Sequence, residues 1–215
     1  MTLFGIMGAG GFAREVMPVA DEMLAQGFDK YELVFVTTAG SADRINGKLV
    51  ISEAEFLNHP GDKRYSCAIA DSALRRKIDT QMTAAEVRPF TIAAVDHLSL
   101  THNDIGEGAI LCPFTTVTAN ARIGRHFHAN LYSYVAHDCE IGHFVTFAPN
   151  VHCNGRVVIE DDVYVGAGAM IRHGSEDAPL VIGRGAVIGM GAVVTRSVAA
   201  GETVVGNPAA PIRRR

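Results

Sequence analysis

Three groups of residues in this sequence are of types that could do chemistry. His137 stands beside Asp138 in the run Val135-Ala-His-Asp-Cys-Glu-Ile-Gly142, and an imidazole is the side chain that takes and returns a proton near neutral pH. Gly8-Ala-Gly-Gly-Phe-Ala-Arg-Glu15 follows a short apolar run and opens a helix-like stretch, the context in which backbone N–H groups and a helix N-terminus accept phosphate. Nine histidines raise the question of a metal, with His126, His128, His143 and His152 as the obvious pool.

The elements that must position these groups fall into two halves. Residues 1–95 alternate short apolar runs with amphipathic stretches, the α/β pattern. Leu3–Met7 and Leu33–Val36 read as strands, and Phe12–Gln26 reads as a helix with apolar Val16, Val19, Ala20, Met23 and Leu24. Ser52-Glu-Ala-Glu55 is a capping box opening a short helix through Leu57, Ser66–Ala70 is a further strand, and Asp71–Glu86 a helix. The expected product is a small, Rossmann-like parallel sheet with flanking helices, shorter than a full dinucleotide domain.

From Ile105 an apolar residue returns every six positions through Ile171: Ile105, Leu111, Val117, Ile123, Ala129, Val135 and so on without a slip. Four positions after each stands a second, mostly small residue, such as Ala109, Thr115, Ala121 and Cys139. Six fits neither a helix nor ordinary strand alternation. It is the repeat of a parallel β-helix, in which three short strands make one triangular coil of eighteen residues. Glycines directly after the apolar residue, at Gly106, Gly124, Gly142 and Gly166, predict turns with unusual backbone angles there. The phase breaks after Ile171, making His173–Pro179 a loop, and resumes at Ile182, Ile188 and Val194. A vertex falls at His137, two residues past inward Val135, so the imidazole lies outside the core. Tyr132, Tyr134, His143, Phe144 and Phe147 are expected at outward or corner positions that need cover, which self-association would supply.

Stacking at eighteen residues also tests the metal. The columns Arg125–His143–Asp161 and His137–Gly155–His173 mix charges and do not converge three imidazoles, so no metal is expected. The same spacing puts Asp138 over Arg156, leaving open whether its carboxylate pairs with that guanidinium or with His137. Lys+Arg 19 against Asp+Glu 23 gives a net charge of −4 and no basic footprint for nucleic acid. Cys67, Cys112, Cys139 and Cys153 have no CxxC spacing, and the chain has neither a signal-peptide pattern nor an 18-residue apolar run, so a soluble cytoplasmic protein without a membrane partner is expected.

The segments Gly8–Glu15, Ala68-Ile-Ala-Asp-Ser-Ala-Leu-Arg-Arg76, Val135–Gly142 and Val205-Gly-Asn-Pro-Ala209 together resemble the bacterial sugar O-/N-acyltransferases, the group of sialic-acid O-acetyltransferases and nucleotide-amino-sugar N-acetyltransferases. The likeness runs through nearly the whole chain in the right order. It implies a left-handed β-helix, a homotrimer, and acetyl-CoA as co-substrate in surface-glycan (polysaccharide) biosynthesis. It implies domains at 1–95 for substrate and 96–206 for acyl transfer, with 207–215 as a tail in which Arg213, Arg214 and Arg215 are solvated.

By the same resemblance His137 is the base, Asp138 orients it, and Gly155, one coil on, offers its N–H to the developing oxyanion. Cofactor positions fall on Thr146, Ala167 and Met190, the first often a histidine in relatives. Substrate positions fall on Gly8, Gly10, Gly11, Phe12, Thr37 and Asp71. No acidic residue ends the second strand, where Val36-Thr-Thr-Ala-Gly40 stands, so NAD is not the ligand and the nucleotide base stays open. The expected reaction is acetylation of the amino group of a nucleotide-linked 4-amino-4,6-dideoxy sugar. O-acetylation of a sialic acid is the rival within the class, and a silent nucleotide-binding scaffold the rival outside it.

Overall fold

The computed structural model describes residues 1–39 and 43–212 and divides the chain into two compact units, Met1–Val95 and Asp96–Arg215. The basic tail residues Arg213–Arg215, and Gly40 in the segment after the second strand, lie outside the described residues.

In the first unit β1 (Thr2–Met7) leads into α1 (Gly11–Gly27), followed by β2 (Tyr31–Thr37), β3 (Arg44–Ile45), β4 (Lys48–Ser52), α2 (Glu53–Asn58), β5 (Lys63–Cys67), α3 (Ser72–Ala84) and β6 (Arg88–Pro89). The sheet order is β3-β4-β2-β1-β5-β6, parallel except for the β3–β4 pair. β1 and β2 are apolar on both faces because helices cover both, as parallel sheets require. α1 buries the stripe Ala13, Val16, Met17, Ala20 and Leu24. The capping box forms as expected: Ser52 Oγ accepts from Glu55 N at 3.1 Å and Glu55 Oε2 accepts from Ser52 N at 2.7 Å.

Two strand expectations shift. The strand expected at Ser66–Ala70 is Lys63–Cys67. Its first two residues are charged but lie at the strand's rim, where Lys63 Nζ donates to the His59 carbonyl and Arg64 pairs with Asp62, so polarity conceals them. The hairpin β3–β4 also escaped the pattern, since Arg44 and Lys48 interrupt the apolar alternation.

The second unit stacks three ribbons of two- to four-residue strands into a prism. One face carries Ile110–Leu111, His128–Ala129, Thr146–Phe147, Tyr164–Val165 and Val187–Ile188. The second carries Leu98–Thr101, Thr116–Ala119, Tyr134–Val135, His152–Cys153, Met170–Ile171 and Val193–Val194. The third carries Asp104–Ile105, Arg122–Ile123, Glu140–Ile141, Val157–Ile159 and Leu180–Ile182. Every pairing along these columns is parallel, and register advances by eighteen residues until the loop after Ile171, as in Arg122↔Glu140 and His128↔Thr146. The six-step residues from Leu111 to Ile171 and their small partners from Ala109 to Ala169 are buried.

The corners correct one expectation. The left-handed residue is not the glycine after each apolar position but lies two residues further on, at Phe114, Asn120, His126, Tyr132, Asp138, Phe144, Asn150, Arg156 and Asp162, with φ from 54° to 63°. Gly106, Gly124, Gly142 and Gly166 are glycines for another reason: a Cβ there would stand 2.5–2.7 Å from an atom of the neighbouring coil. Coil stacking, not turn geometry, excludes a side chain at those four positions. Each non-glycine corner carries a left-handed cost of roughly 1–2 kcal/mol that the packed core must offset, least for Asn and Asp.

Two aromatic expectations also change. Phe147 points into the prism and is fully buried, and Phe144 is buried with its ring stacked on His126 at 5.2 Å. Phe114 and Tyr132 instead stack on each other at 5.0 Å in the open. The last described residues are not free: Ala210–Pro211 pairs antiparallel with Thr203–Val205. The four cysteines are buried, and none is in a disulfide.

Candidate active site

His137 and Asp138 occupy the corner between the second and third faces. The left-handed φ of 58° at Asp138 bends the chain so that consecutive side chains can meet. His137 Nδ1 lies 2.8 Å from Asp138 Oδ2. With the carboxylate as acceptor, Nδ1 carries the proton and Nε2 is left with its lone pair, the tautomer a general base needs. The imidazole side chain is about half exposed, at 52%. Asp138 Oδ1 accepts from Asn120 Nδ2 at 3.1 Å, while Arg156 Nη2 stands 3.8 Å from Oδ2. The carboxyl is held below its ordinary range first by the His137 hydrogen bond and then by Asn120's. Of the two pairings the sequence left open, the shorter is with His137.

Gly155 lies one coil on, directly under the ring: a Cβ there would stand 2.6 Å from His137 Cε1 and Nε2. No backbone hydrogen bond among the described residues uses the Gly155 N–H, while its carbonyl accepts from Gly174 N at 3.0 Å. The bond to Gly174 anchors the loop after Ile171 at this corner. Beside it opens a groove of about 570 Å³ lined by Asn120, Arg122, Asp138, Glu140, Arg156 and Glu176, among others.

The other candidate positions are not at this corner. Ala167 and Met190 stack in successive coils where the first and second faces meet, with Gly191 N donating to the Ala167 carbonyl at 2.8 Å. Met190 is 81% exposed, and nothing stands within 4 Å of where side chains would start at Gly168 and Gly191. The backbone of that corner is uncovered, which suits a ligand that bonds along the main chain. Thr146 is buried on the first face, paired between His128 and Tyr164.

In the first unit Gly8 has φ 102°, and a Cβ there would press on Ile69 at 3.0 Å. Gly10 caps α1 through its backbone alone and Gly11 begins the helix, and a Cβ at either meets nothing within 4 Å among the described residues. Gly8 and Thr37 line a recess of about 150 Å³ together with Thr38, Glu53, Ile69 and Leu74. Phe12, half-buried, follows in the first turn of α1. Asp71 has structural work: Oδ1 caps α3 by accepting from Leu74 N at 2.8 Å. Buried Arg75 donates to the Ile69 carbonyl at 2.7 Å, fixing the loop that walls the recess. Among the described residues no cluster of histidine, cysteine or carboxylate ligands could hold a metal, and no helix is long and apolar enough to cross a membrane.

Residues 4–82 match the PglD N-terminal domain. Over its whole length the chain is 49% identical to the GDP-perosamine N-acetyltransferase of Escherichia coli O157:H7, covering 98% of that protein. The chain belongs to the nucleotide-amino-sugar N-acetyltransferase family. Its fold superposes on WeeI from Acinetobacter baumannii AYE with a TM-score of 0.95 at 45% identity, covering 99% of this chain and 100% of that one. The acetyltransferase domain of PglB from Neisseria gonorrhoeae FA1090, solved in complex with acetyl coenzyme A, matches with a TM-score of 0.86 at 27% identity over 98% of both chains. The second unit is accordingly the left-handed β-helix of this family, an acyltransferase fold for which acetyl-CoA is the co-substrate.

Sequence reasoning missed Asn120. The signal was present, since the eighteen-residue step that placed Arg156 one coil after Asp138 places Asn120 one coil before it.

Proposed function

We propose that the chain transfers the acetyl group of acetyl-CoA to the amino group of a GDP-linked 4-amino-4,6-dideoxy sugar of the GDP-perosamine type, in the cytoplasm, as a step toward a surface polysaccharide. The observation that carries the chemistry is the His137 ring, tied through Nδ1 to Asp138 and lying over Gly155 with Nε2 free. The sugar amine attacks the thioester carbonyl carbon, a C–N bond forms, and His137 Nε2 takes the amine's proton. Asp138 stabilises the imidazolium that results. The Gly155 N–H donates to the oxyanion, which collapses with rupture of the C–S bond, and the imidazolium returns the proton to the departing thiolate. The recess beside Gly8 and Thr37, at the backbone-capped start of α1, takes the diphosphate and nucleoside of the acceptor. In this reading Gly10, Gly11 and Phe12 meet the same ligand from the start of α1, while Asp71 contributes through the helix it caps.

The acting species is a homotrimer. Two features support this. His137 and the Ala167–Met190 corner lie on different edges of the second face. That face and its first edge also present Leu98, Leu100, Phe114, Tyr132 and Met170, between 47% and 62% exposed.

Thiol release from acetyl-CoA across a panel of UDP-, dTDP- and GDP-linked 4-amino sugars and free sialic acid tests the reading. Turnover is expected with the GDP-linked amine and is expected to fall at least ~100-fold in His137→Ala with the assembly intact. Activity confined to sialic acid, or near-normal turnover without the imidazole, would overturn it.

A further inference from the structure

The corner that carries Asp138 belongs to a column. His102, Asn120, Asp138 and Arg156 recur at eighteen-residue intervals, and all four are left-handed, with φ of 52°, 56°, 58° and 56°. The backbone ties each to the coil before: Asn120 N donates to the Thr101 carbonyl at 3.1 Å, Asp138 N to that of Ala119 at 2.9 Å, and Arg156 N to that of His137 at 3.0 Å. Asp138 therefore sits with an amide donor on one side along the column and a guanidinium on the other, and both compete with His137 for its two oxygens. The outcome of that competition is uneven. Asn120 Nδ2 holds Oδ1 at 3.1 Å, His137 holds Oδ2 at 2.8 Å, and Arg156 stands back at 3.8 Å. An ionised carboxylate only accepts, so the Asn120 amide must present its nitrogen, and its direction is not ambiguous.

We infer that Asn120 is a positioning residue for the transfer reaction, dividing the Asp138 carboxylate so that one oxygen is reserved for His137 and Arg156 cannot draw it into a bidentate pair. Planar guanidinium and carboxylate groups pair through two parallel hydrogen bonds when both oxygens are available. With Oδ1 held from the preceding coil and Oδ2 by His137, a bidentate pair would require the carboxylate to turn out of both bonds, and Arg156 stands off at 3.8 Å from Oδ2. Remove the amide and the carboxylate is free to turn toward the guanidinium, leaving the imidazole without the acceptor that fixes its tautomer. Asparagine meets both requirements of the position, since it tolerates the left-handed corner and carries a neutral donor that does not neutralise the carboxylate.

The inference rests on His137 and Asp138 acting as proposed above, and the test separates the two. Asn120→Gly keeps the left-handed backbone comfortable while deleting the amide, and Asn120→Asp keeps size and corner preference while replacing the donor with a carboxylate. Steady-state kinetics of each are compared in the wild-type and Arg156→Ala backgrounds, with His137→Ala alongside. Expected for Asn120→Gly in the wild-type background is a fall in kcat of about tenfold with both KM values within about twofold. Asn120→Asp should lose at least as much. In the Arg156→Ala background Asn120→Gly should change kcat by less than about twofold, because the competitor is gone. Equal losses in both backgrounds, or a loss seen only as a raised KM for the amino sugar, would overturn it in favour of a merely structural or substrate-contacting side chain. If His137→Ala is inactive and Asn120→Gly is normal, the base assignment stands and this inference fails. If His137→Ala remains active, both fall.

Discussion

At the scale of single residues the site is an arrangement of what touches the imidazole. Asp138 touches it because a left-handed corner turns two neighbouring side chains toward each other, and Gly155 touches it because the next coil has no side chain there. The second contact makes a sharp prediction. The backbone of Gly155 is not left-handed, so alanine can adopt it, but its methyl would stand 2.6 Å from the Cε1–Nε2 edge of the ring. Gly155→Ala is expected to fold normally and to lose roughly 100-fold in kcat, since displacement of a reacting group by about an ångström costs that much. Unchanged turnover, with a thermal midpoint like wild type, would remove Gly155 from the site. That His137, Asp138 and Gly155 come together was legible in the sequence because motif and coil spacing agreed on them. What stayed hidden was Asn120, whose partner lies eighteen residues away and whose type is ordinary at any corner.

At the scale of elements, legibility followed the strength of the repeat. Six-residue periodicity located the inward positions of the prism because an apolar residue fills the core at each step, and residues such as Val135, Ile141 and Cys153 are buried there. Strands of the first unit were read less well, for Lys63 and Arg64 begin β5 with charge and only their later neighbours reach the core. The glycine loop divides along the same line. Gly8 is required by its backbone and by Ile69, but nothing among the described residues requires Gly10 to lack a side chain. Gly8→Ala is therefore expected to destabilise the protein by more than about 1 kcal/mol, the cost of forcing a Cβ into φ 102°. Gly10→Ala should cost less than about 1 kcal/mol in thermal or denaturant unfolding, as a change at a cap made by backbone alone. Its effect should appear instead as a KM for the nucleotide sugar raised about tenfold, because the open space above the start of α1 is where the ligand's phosphates approach. Should Gly10→Ala bind the acceptor normally, that space is not the phosphate subsite.

At the scale of the whole molecule the decisive fact is that one chain spreads its candidate site over two edges of a prism. His137 lies at the edge where the second and third faces meet, while Ala167 and Met190 lie where the first and second meet. A closed threefold ring uses a heterologous contact, in which one patch of each copy meets a different patch of the next. In the proposed homotrimer such a contact would join the His137 edge of one copy to the Ala167 edge of its neighbour and cover Leu98, Phe114, Tyr132 and Met170, which are exposed in the single chain. Complementation distinguishes this from a site housed in one chain. His137→Ala lacks the base but keeps the cofactor edge. Ala167→Trp blocks the cofactor edge but keeps the base, so each alone should be nearly inactive. When the two are co-expressed in equal amounts and assemble at random, a junction works only if the copy giving the base carries Ala167→Trp and its neighbour carries His137→Ala. The chance is one half times one half, so turnover per junction should return to about a quarter of wild type. A site complete within one chain gives no recovery at any mixing ratio, because every copy is then defective in one half or the other.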